Sequence, residues 1–566
     1  MPISQIQAEV DAIAAQQVDA EMGSQRYALL FKPGVYGNAG EPLIVQVGYY
    51  TDVAGLGASP TEVTINGHVG VYNRCLAADN CIALDNFWRS MSNLTINVMG
   101  LADCRASGNF WAVSQAAPMR RVNVTGGNLT LMDYCTAGPQ FASGGYIADS
   151  KTGFVINGSQ QQFLVRDSEI GGWSNGVWNQ VFSGVLGAPA QSFGSAPGAP
   201  PYTTLPTSPV TREKPFLTID AKGRYSVFVP ALRRDSAGTS RASGTTAGSS
   251  IAIEDFFIAR PGDSAKTINR ELDRGRHLIF TPGIYHLDRT LKVMRAHTVV
   301  LGLGYPTLIP DGGVVAMTVA DVAGVKLAGL LFDAGTVNSP LLLRVGGEHR
   351  HLRHDDDGNS ERHGRRDDPS SLQDVFFRIG GAGTGKATTS LVVNSDDVLI
   401  DHVWAWRADH GIGGVGWTVN TADTGLVVNG DDVTAYGLFV EHYQKEQLVW
   451  NGENGRTIFF QNEMPYDPPN QDAWMNGTVK GYAAYKVADS VKVHEAWGLG
   501  SYCFFSTDPT IHAARSFEVP VTAGVRLHDL LTVSLGGIGT IDHVVNDTGA
   551  AAQGPGTVPV NVVSFP

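Results

Sequence analysis

"LLFKPGVYGN" occupies residues 29–38, and "LIFTPGIYHL" occupies residues 278–287, an offset of 278 − 29 = 249. The residues after each copy match as well: "VAGLGASPTEVTI" from Val53 and "VLGLGYPTLIP" from Val300. Pro33 to Gly55 is 22 residues, and Pro282 to Gly302 is 20. A Pro-Gly turn after an apolar run is common on its own. Two ordered matches at similar spacing predict a duplicated unit.

The composition agrees with two large strand-rich units. A chain of 566 residues is too long for one compact domain. Apolar residues make up 43% and can fill large cores, while only 17% are charged and 67 are glycine, a profile of strands and turns rather than helices. The net charge of −13 repels phosphate backbones, which argues against nucleic acid as a partner. No run of 18 apolar residues occurs, so no membrane partner is expected. The opening "MPISQIQAEVDAIAAQQ" has an amphipathic helix pattern and no apolar leader, so no signal peptide is expected in this chain.

The five cysteines form no CxxC pair, so no zinc site and no metal or other cofactor is expected. Four of them crowd the first half. Their expected pairing is Cys75–Cys81 and Cys104–Cys135, implying an oxidising compartment and a secreted protein; four unpaired buried thiols are the alternative. Cys503 is left over.

Pro, Gly and Ser crowd "GAPAQSFGSAPGAPPYTTLPTSP" (187–209), and "DSAGTSRASGTTAGSS" (235–250) is again poor in apolar residues. The expected domains are therefore 1–235, with a linker from about 187, and 250–566. A helix pattern precedes each repeat copy, at 4–20 and at "SAKTINRELDRG" (264–275). The mixed-charge stretch "EHRHLRHDDDGNSERHGRRDD" (348–368) lacks ordered ligand spacing and reads as a solvated loop.

Shorter repeats identify the unit. "NFWRSMSNLTINV" from Asn86 and "NFWAVSQAAPMRRVNV" from Asn109 are offset by 23. "SLVVNSDDVLIDHVWA" (390–405) and "GLVVNGDDVTAYGLFVEH" (425–442) are offset by 35, with "GIGGVGWTVNTADT" as an insertion. "RTIFFQNE" (456–463) comes one coil later. Steps of 20–26 residues fit coils of a parallel β-helix, each stacked in register on the last. An antiparallel sandwich gives no reason for in-register repetition. Each "FxPGxY" copy then opens one β-helix, and the preceding amphipathic helix covers its exposed strand edges.

Stacking brings residues one coil apart to about 4.8 Å spacing along the axis. Glu441 and Glu463 are 463 − 441 = 22 apart, and each ends an apolar strand run. Two stacked acids raise each other's proton affinity, which suits a general acid near neutral pH; two solvated strand-end acids are the alternative. Trp404, Trp406, Trp450, Tyr466 and Trp474 lie nearby in sequence as candidate faces for sugar rings, or as core. "GSQQQF" (158–163) puts Gln160 and Gln162 on one strand face, able to hold water or to form a buried amide ladder.

The stretch "VEHYQKEQLVWNGENGRTIFFQNEMPYDPP" (440–469), with "NGSQQQF" and "GGWSNGVWNQVFSG" before it, resembles glycoside hydrolase family 55, and within it the bacterial exo-β-1,3-glucanases. The resemblance implies an all-β fold of two tandem right-handed parallel β-helices packed side by side, with the active site between them. It implies exo-acting hydrolysis of β-1,3-glucan with inversion, releasing glucose. Glu463 would be the general acid, Glu441 its partner one coil earlier, and Gln160, Gln162 and Ser183 the water site; Tyr466 would line the cleavage subsite. A monomer is expected. Two other readings are a calcium-dependent pectate-lyase-like enzyme and a non-catalytic glycan-binding β-helix. For the lyase, the paired Asp of "NSDDV" and "NGDDV" sit at turn positions where Asp is a common turn former.

Overall fold

The computed structural model describes residues 1–348 and 365–566; residues 349–364, most of the expected solvated loop, lie outside the described residues. The two halves are parallel β-helices. The first is built on one 15-stranded sheet, and the second on sheets of 13 and 9 strands.

The two "FxPGxY" copies do the same job in each. Tyr27–Phe31 pairs in parallel with Thr51–Gly55, placing Phe31 on Gly55. His277–Phe280 pairs with Val299–Gly302, placing Phe280 on Gly302. After the turn the tyrosine returns edge-on to the phenylalanine at 4.9 Å, both for Phe31–Tyr36 and for Phe280–Tyr285. The helices Ile3–Gln17 and Ala265–Asp273 cap the two first coils, burying Val10 and Ala14 in one and Ile268 and Leu272 in the other. The far end of the second β-helix is closed by Val560–Phe565, which pairs antiparallel to Val525–Ser534.

The 35-residue and 22-residue steps are true coil registers: Trp406 pairs with Glu441, and Glu441 with Glu463. Asp397 and Asp432 take left-handed φ of 57° at the stacked turns. The two "NFW" motifs, in contrast, do not stack. The coil there is 28 residues, Met91 on Met119, so the three-residue match of Asn-Phe-Trp gave the wrong register.

The segment from 187 is fastened rather than free. Phe193 packs on Tyr502, Leu531 and Val533 of the second half, and Tyr202–Leu205 adds a rung to the first β-helix. Antiparallel strands from Ser208 to Ala252 then lead to Phe256–Ala259, the first strand of the second ladder. Cys75–Cys81 and Cys104–Cys135 are disulfides, and Cys503 is buried and free. No helix among the described residues is long and apolar enough to cross a membrane.

Candidate active site

Strands Thr434–Glu441 and Gly455–Glu463 end on the same face, with Glu441 directly beside Glu463 in the ladder. Both strands break their pleat at stacked positions, Gly437 with φ 62° and Phe459 with φ 71°. His442 takes φ 65° just after Glu441, and its Nδ1 lies 3.1 Å from the Met464 carbonyl.

Glu441 is almost wholly buried, and both of its oxygens are held. Trp404 Nε1 donates to Oε2 at 2.7 Å, and Gln115 Nε2, from the first β-helix, donates to Oε1 at 2.7 Å. Burial, then the neighbouring Glu463 charge, pushes the Glu441 carboxyl well above the usual range. Glu463 keeps 14% of its side chain exposed and has His442 Nε2 at 4.0 Å. The Tyr466 hydroxyl donates to Glu463 Oε2. Burial raises the Glu463 carboxyl too, against the opposing pull of His442 and of the Tyr466 hydrogen bond. The site thus sets a partly exposed acid of raised proton affinity beside a second, clamped acid whose affinity is raised further.

Several expected site residues land elsewhere. Trp450 and Trp474 are inside the core of the second β-helix, out of reach of any sugar. Trp404 and Trp406 are also buried and act through their N–H groups instead: Trp404 on Glu441, and Trp406 on Asp409 at 3.1 Å. The partly exposed rings near Glu463 are Tyr466, Phe504 and Trp178, with Phe504 5.2 Å from Tyr466 and Trp178 5.3 Å from Tyr502. Ser183 pairs with Arg166 and hydrogen-bonds Ser208 at 2.8 Å. Asn179, not Ser183, sits on Gln162, so Ser183 lies four residues, roughly 13 Å, farther along the strand.

The two glutamines also part company. Gln160 gives both amide hydrogens to the carbonyls of Val113 and Leu131, each at 2.8 Å, and its Oε1 accepts from Gly144 N at 3.1 Å. It is a structural brace inside the first β-helix. Gln162 donates to the Ser143 carbonyl at 2.6 Å, and its buried Oε1 has no protein partner. Gln115 and Ser143, neither of them singled out by sequence, complete the first half's share: Gln115 Nε2 also donates to Ser143 Oγ at 2.7 Å, and Gln115 Oε1 is buried without a protein partner. Gln461 Oε1, one position before the Asn462–Glu463 pair, is a third such oxygen. Buried unpaired acceptors cost free energy, which makes these three oxygens candidates for holding water or a hydroxyl.

Known proteins share this architecture. A family model described as the LAM55 pectate lyase-like domain matches residues 256–463. An exo-β-1,3-glucanase of Streptomyces sp. (strain SirexAA-E / ActE) is 53% identical over 562 residues, covering 99% of this chain and 87% of that protein. The structure of sacteLam55A from Streptomyces sp. SirexAA-E superposes with a TM-score of 0.91 at 53% identity, over 99% of this chain and 96% of that one. A variant of sacteLam55A in complex with glucose gives a TM-score of 0.90 at 51% identity, over the same shares.

Proposed function

Because this chain belongs to glycoside hydrolase family 55, we propose that it is an exo-β-1,3-glucanase, removing glucose from β-1,3-glucan at the Glu441–Glu463 centre between its two β-helices. The observation that carries the site is the clamp on Glu441, which joins an acid of one β-helix to an amide of the other.

Glu463 is the general acid. Its raised proton affinity suits a general acid, and its partial exposure lets it reach the glycosidic oxygen. Tyr466 orients the carboxyl through its hydroxyl. Glu441, with both oxygens engaged, is poorly placed to attack an anomeric carbon and better placed to polarise a water. An unpartnered amide oxygen of Gln162 or Gln115 accepts one of that water's hydrogens from the first-half side, and Glu441 takes its other proton as the water attacks. A water attacking opposite Glu463 inverts the anomeric centre.

Glu463→Gln should lower kcat on laminarin by roughly 10²–10⁴-fold with the fold intact, because protonation of the leaving oxygen is lost. Activity within threefold of the parent would remove Glu463 from the mechanism. Proton NMR of a fresh reaction should show α-glucose first; initial β-glucose would make Glu441 a nucleophile. Both disulfides support a secreted enzyme, which periplasmic or medium fractionation tests. Both walls of the site come from one chain, so it works as a monomer, testable by sedimentation.

A further inference from the structure

Prolines surround the tyrosine that bonds the general acid. In "MPYDPP" (464–469), Pro465, Pro468 and Pro469 have no N–H to give, so main-chain bonding can anchor this segment only sparsely. The segment lies outside any strand. The Tyr466 carbonyl accepts from Ser506 Oγ at 3.3 Å and from Thr507 N at 3.5 Å, both long contacts. Yet the Tyr466 hydroxyl is held on Glu463 Oε2, three residues back. A side chain has to supply the missing anchor.

The next residue, Asp467, supplies it. Arg407 Nη1 donates to Asp467 Oδ1 at 2.9 Å and Nη2 to Oδ2 at 2.8 Å, a two-pronged grip. Arg407 ends the strand Leu399–Arg407, one residue after Trp406, and its side chain is 1% exposed. Its other hydrogen bonds go to main-chain carbonyls: Nε to Asn420 at 2.7 Å, Nη1 to His442 at 3.2 Å and Nη2 to Gly416 at 3.1 Å. All five donors of the guanidinium are thereby used. His442 directly follows Glu441, and Asp467 lies four residues after Glu463. One buried side chain therefore ties together the chain just beyond each of the two glutamates.

Two of those carbonyls come from the insertion "GIGGVGWTVNTADT" (411–424), which lengthens this coil to 35 residues, Trp406 on Glu441. Nothing in the chemistry so far accounts for that insertion. It folds back over Arg407. Asn420 is fully buried, its Nδ2 donating to the carbonyls of Ile379 at 2.9 Å and Ala408 at 2.8 Å, while its Oδ1 accepts from Gly416 N at 3.0 Å. The Trp417 ring centroid stands 5.7 Å from the guanidinium carbon, and the Trp417 carbonyl accepts from Gln444 Nε2 at 2.7 Å. Without the insertion the guanidinium would lose two acceptors and this ring. An exposed ion pair is held loosely, whereas a desolvated and fully bonded one fixes a geometry.

We propose that Arg407 is a positioning residue for the general acid: by gripping Asp467 it fixes the turn that aims Tyr466 at Glu463, and the insertion 411–424 completes that grip. The proposal rests on the reading of Glu463 as the general acid. Arg407 touches neither the glucan nor the reacting atoms; it acts through Asp467 and Tyr466.

The test is a double-mutant cycle read in kcat and KM on laminarin. Arg407→Lys keeps the charge but not the fork. It should lower kcat by about 10- to 100-fold with KM within about threefold, because a displacement of about 1 Å at a supporting residue can cost about that much in rate. Asp467→Asn breaks the same grip from its partly exposed end and carries the reading if Arg407→Lys does not fold. Tyr466→Phe should lose a similar factor, and adding Arg407→Lys or Asp467→Asn to it should cost less than about threefold more, since both changes remove one interaction. Losses that multiply, a raised KM with unchanged kcat, or parental kcat in any of the single variants would overturn the proposal. A Glu463→Gln enzyme that stays active would instead overturn the reading of the acid on which it rests.

Discussion

At the scale of single residues, two glutamines two positions apart have opposite surroundings. Gln160 has every polar atom satisfied by main chain, so Gln160→Ala strands the carbonyls of Val113 and Leu131. It should cost about 1–3 kcal/mol of stability and leave kcat within a few-fold. Gln162 has a free, buried oxygen, so Gln162→Ala should lower kcat by about 10²-fold, by analogy with a lost preorganised polar contact, and move the melting temperature little. Thermal melts and initial rates on both variants check the contrast; the reverse pattern would make Gln162 the brace. The acid pair was legible because 22 residues is one coil. Gln115 was not, because nothing in the sequence marks a residue 326 positions from its partner as that partner's donor.

At the scale of elements, the cap helix shows how tightly a β-helix end is sealed. Gln17 Nε2 donates to the Tyr49 carbonyl at 2.7 Å, and the backbone of Gln17 lies over Gly48. A Cβ on Gly48 would stand 2.5 Å from the Gln17 carbonyl carbon, so Gly48→Ala must push the helix off the first coil. The expected cost is roughly 1–3 kcal/mol. It should appear as a lowered melting temperature with faster hydrogen exchange confined to residues 3–17; an unchanged melt would show that the cap yields freely.

At the scale of the molecule, the two β-helices meet across buried charges. Arg120 of the first half pairs with Asp374 at 2.8 Å and Asp401 at 2.9 Å, and Arg166 binds Asp401 at 2.9 Å. Tyr146 stacks on His402 at 4.6 Å. Burial opposes ionisation of the two aspartates, but the guanidinium groups outweigh it and hold both carboxyls below the usual range. Lowered carboxyls stabilise the fold above their ordinary pKa, about 4, and that contribution fades as pH falls through the lower folded values. Arg120→Met should cost about 3–5 kcal/mol, since it leaves two buried carboxylates short of a partner. Denaturant titrations at pH 7 and pH 3 check this: the parent should lose stability between them, and the variant should lose less.

The repeat "FxPGxY", the 22- and 35-residue steps and the stacked Glu441–Glu463 pair were determined by sequence alone. Parallel coils convert a sequence interval into a spatial neighbour, so period and position are the same information. The match of "NFW" to "NFW" failed because inserted residues change the coil to 28, and interval then no longer means neighbour. Which tryptophans are buried, that Ser143 rather than Ser183 lies against Gln115, and that Glu21 reaches His410 were decided by tertiary structure. Each depends on how chain segments far apart in sequence dock through their side chains, and no periodicity within either stack encodes that geometry.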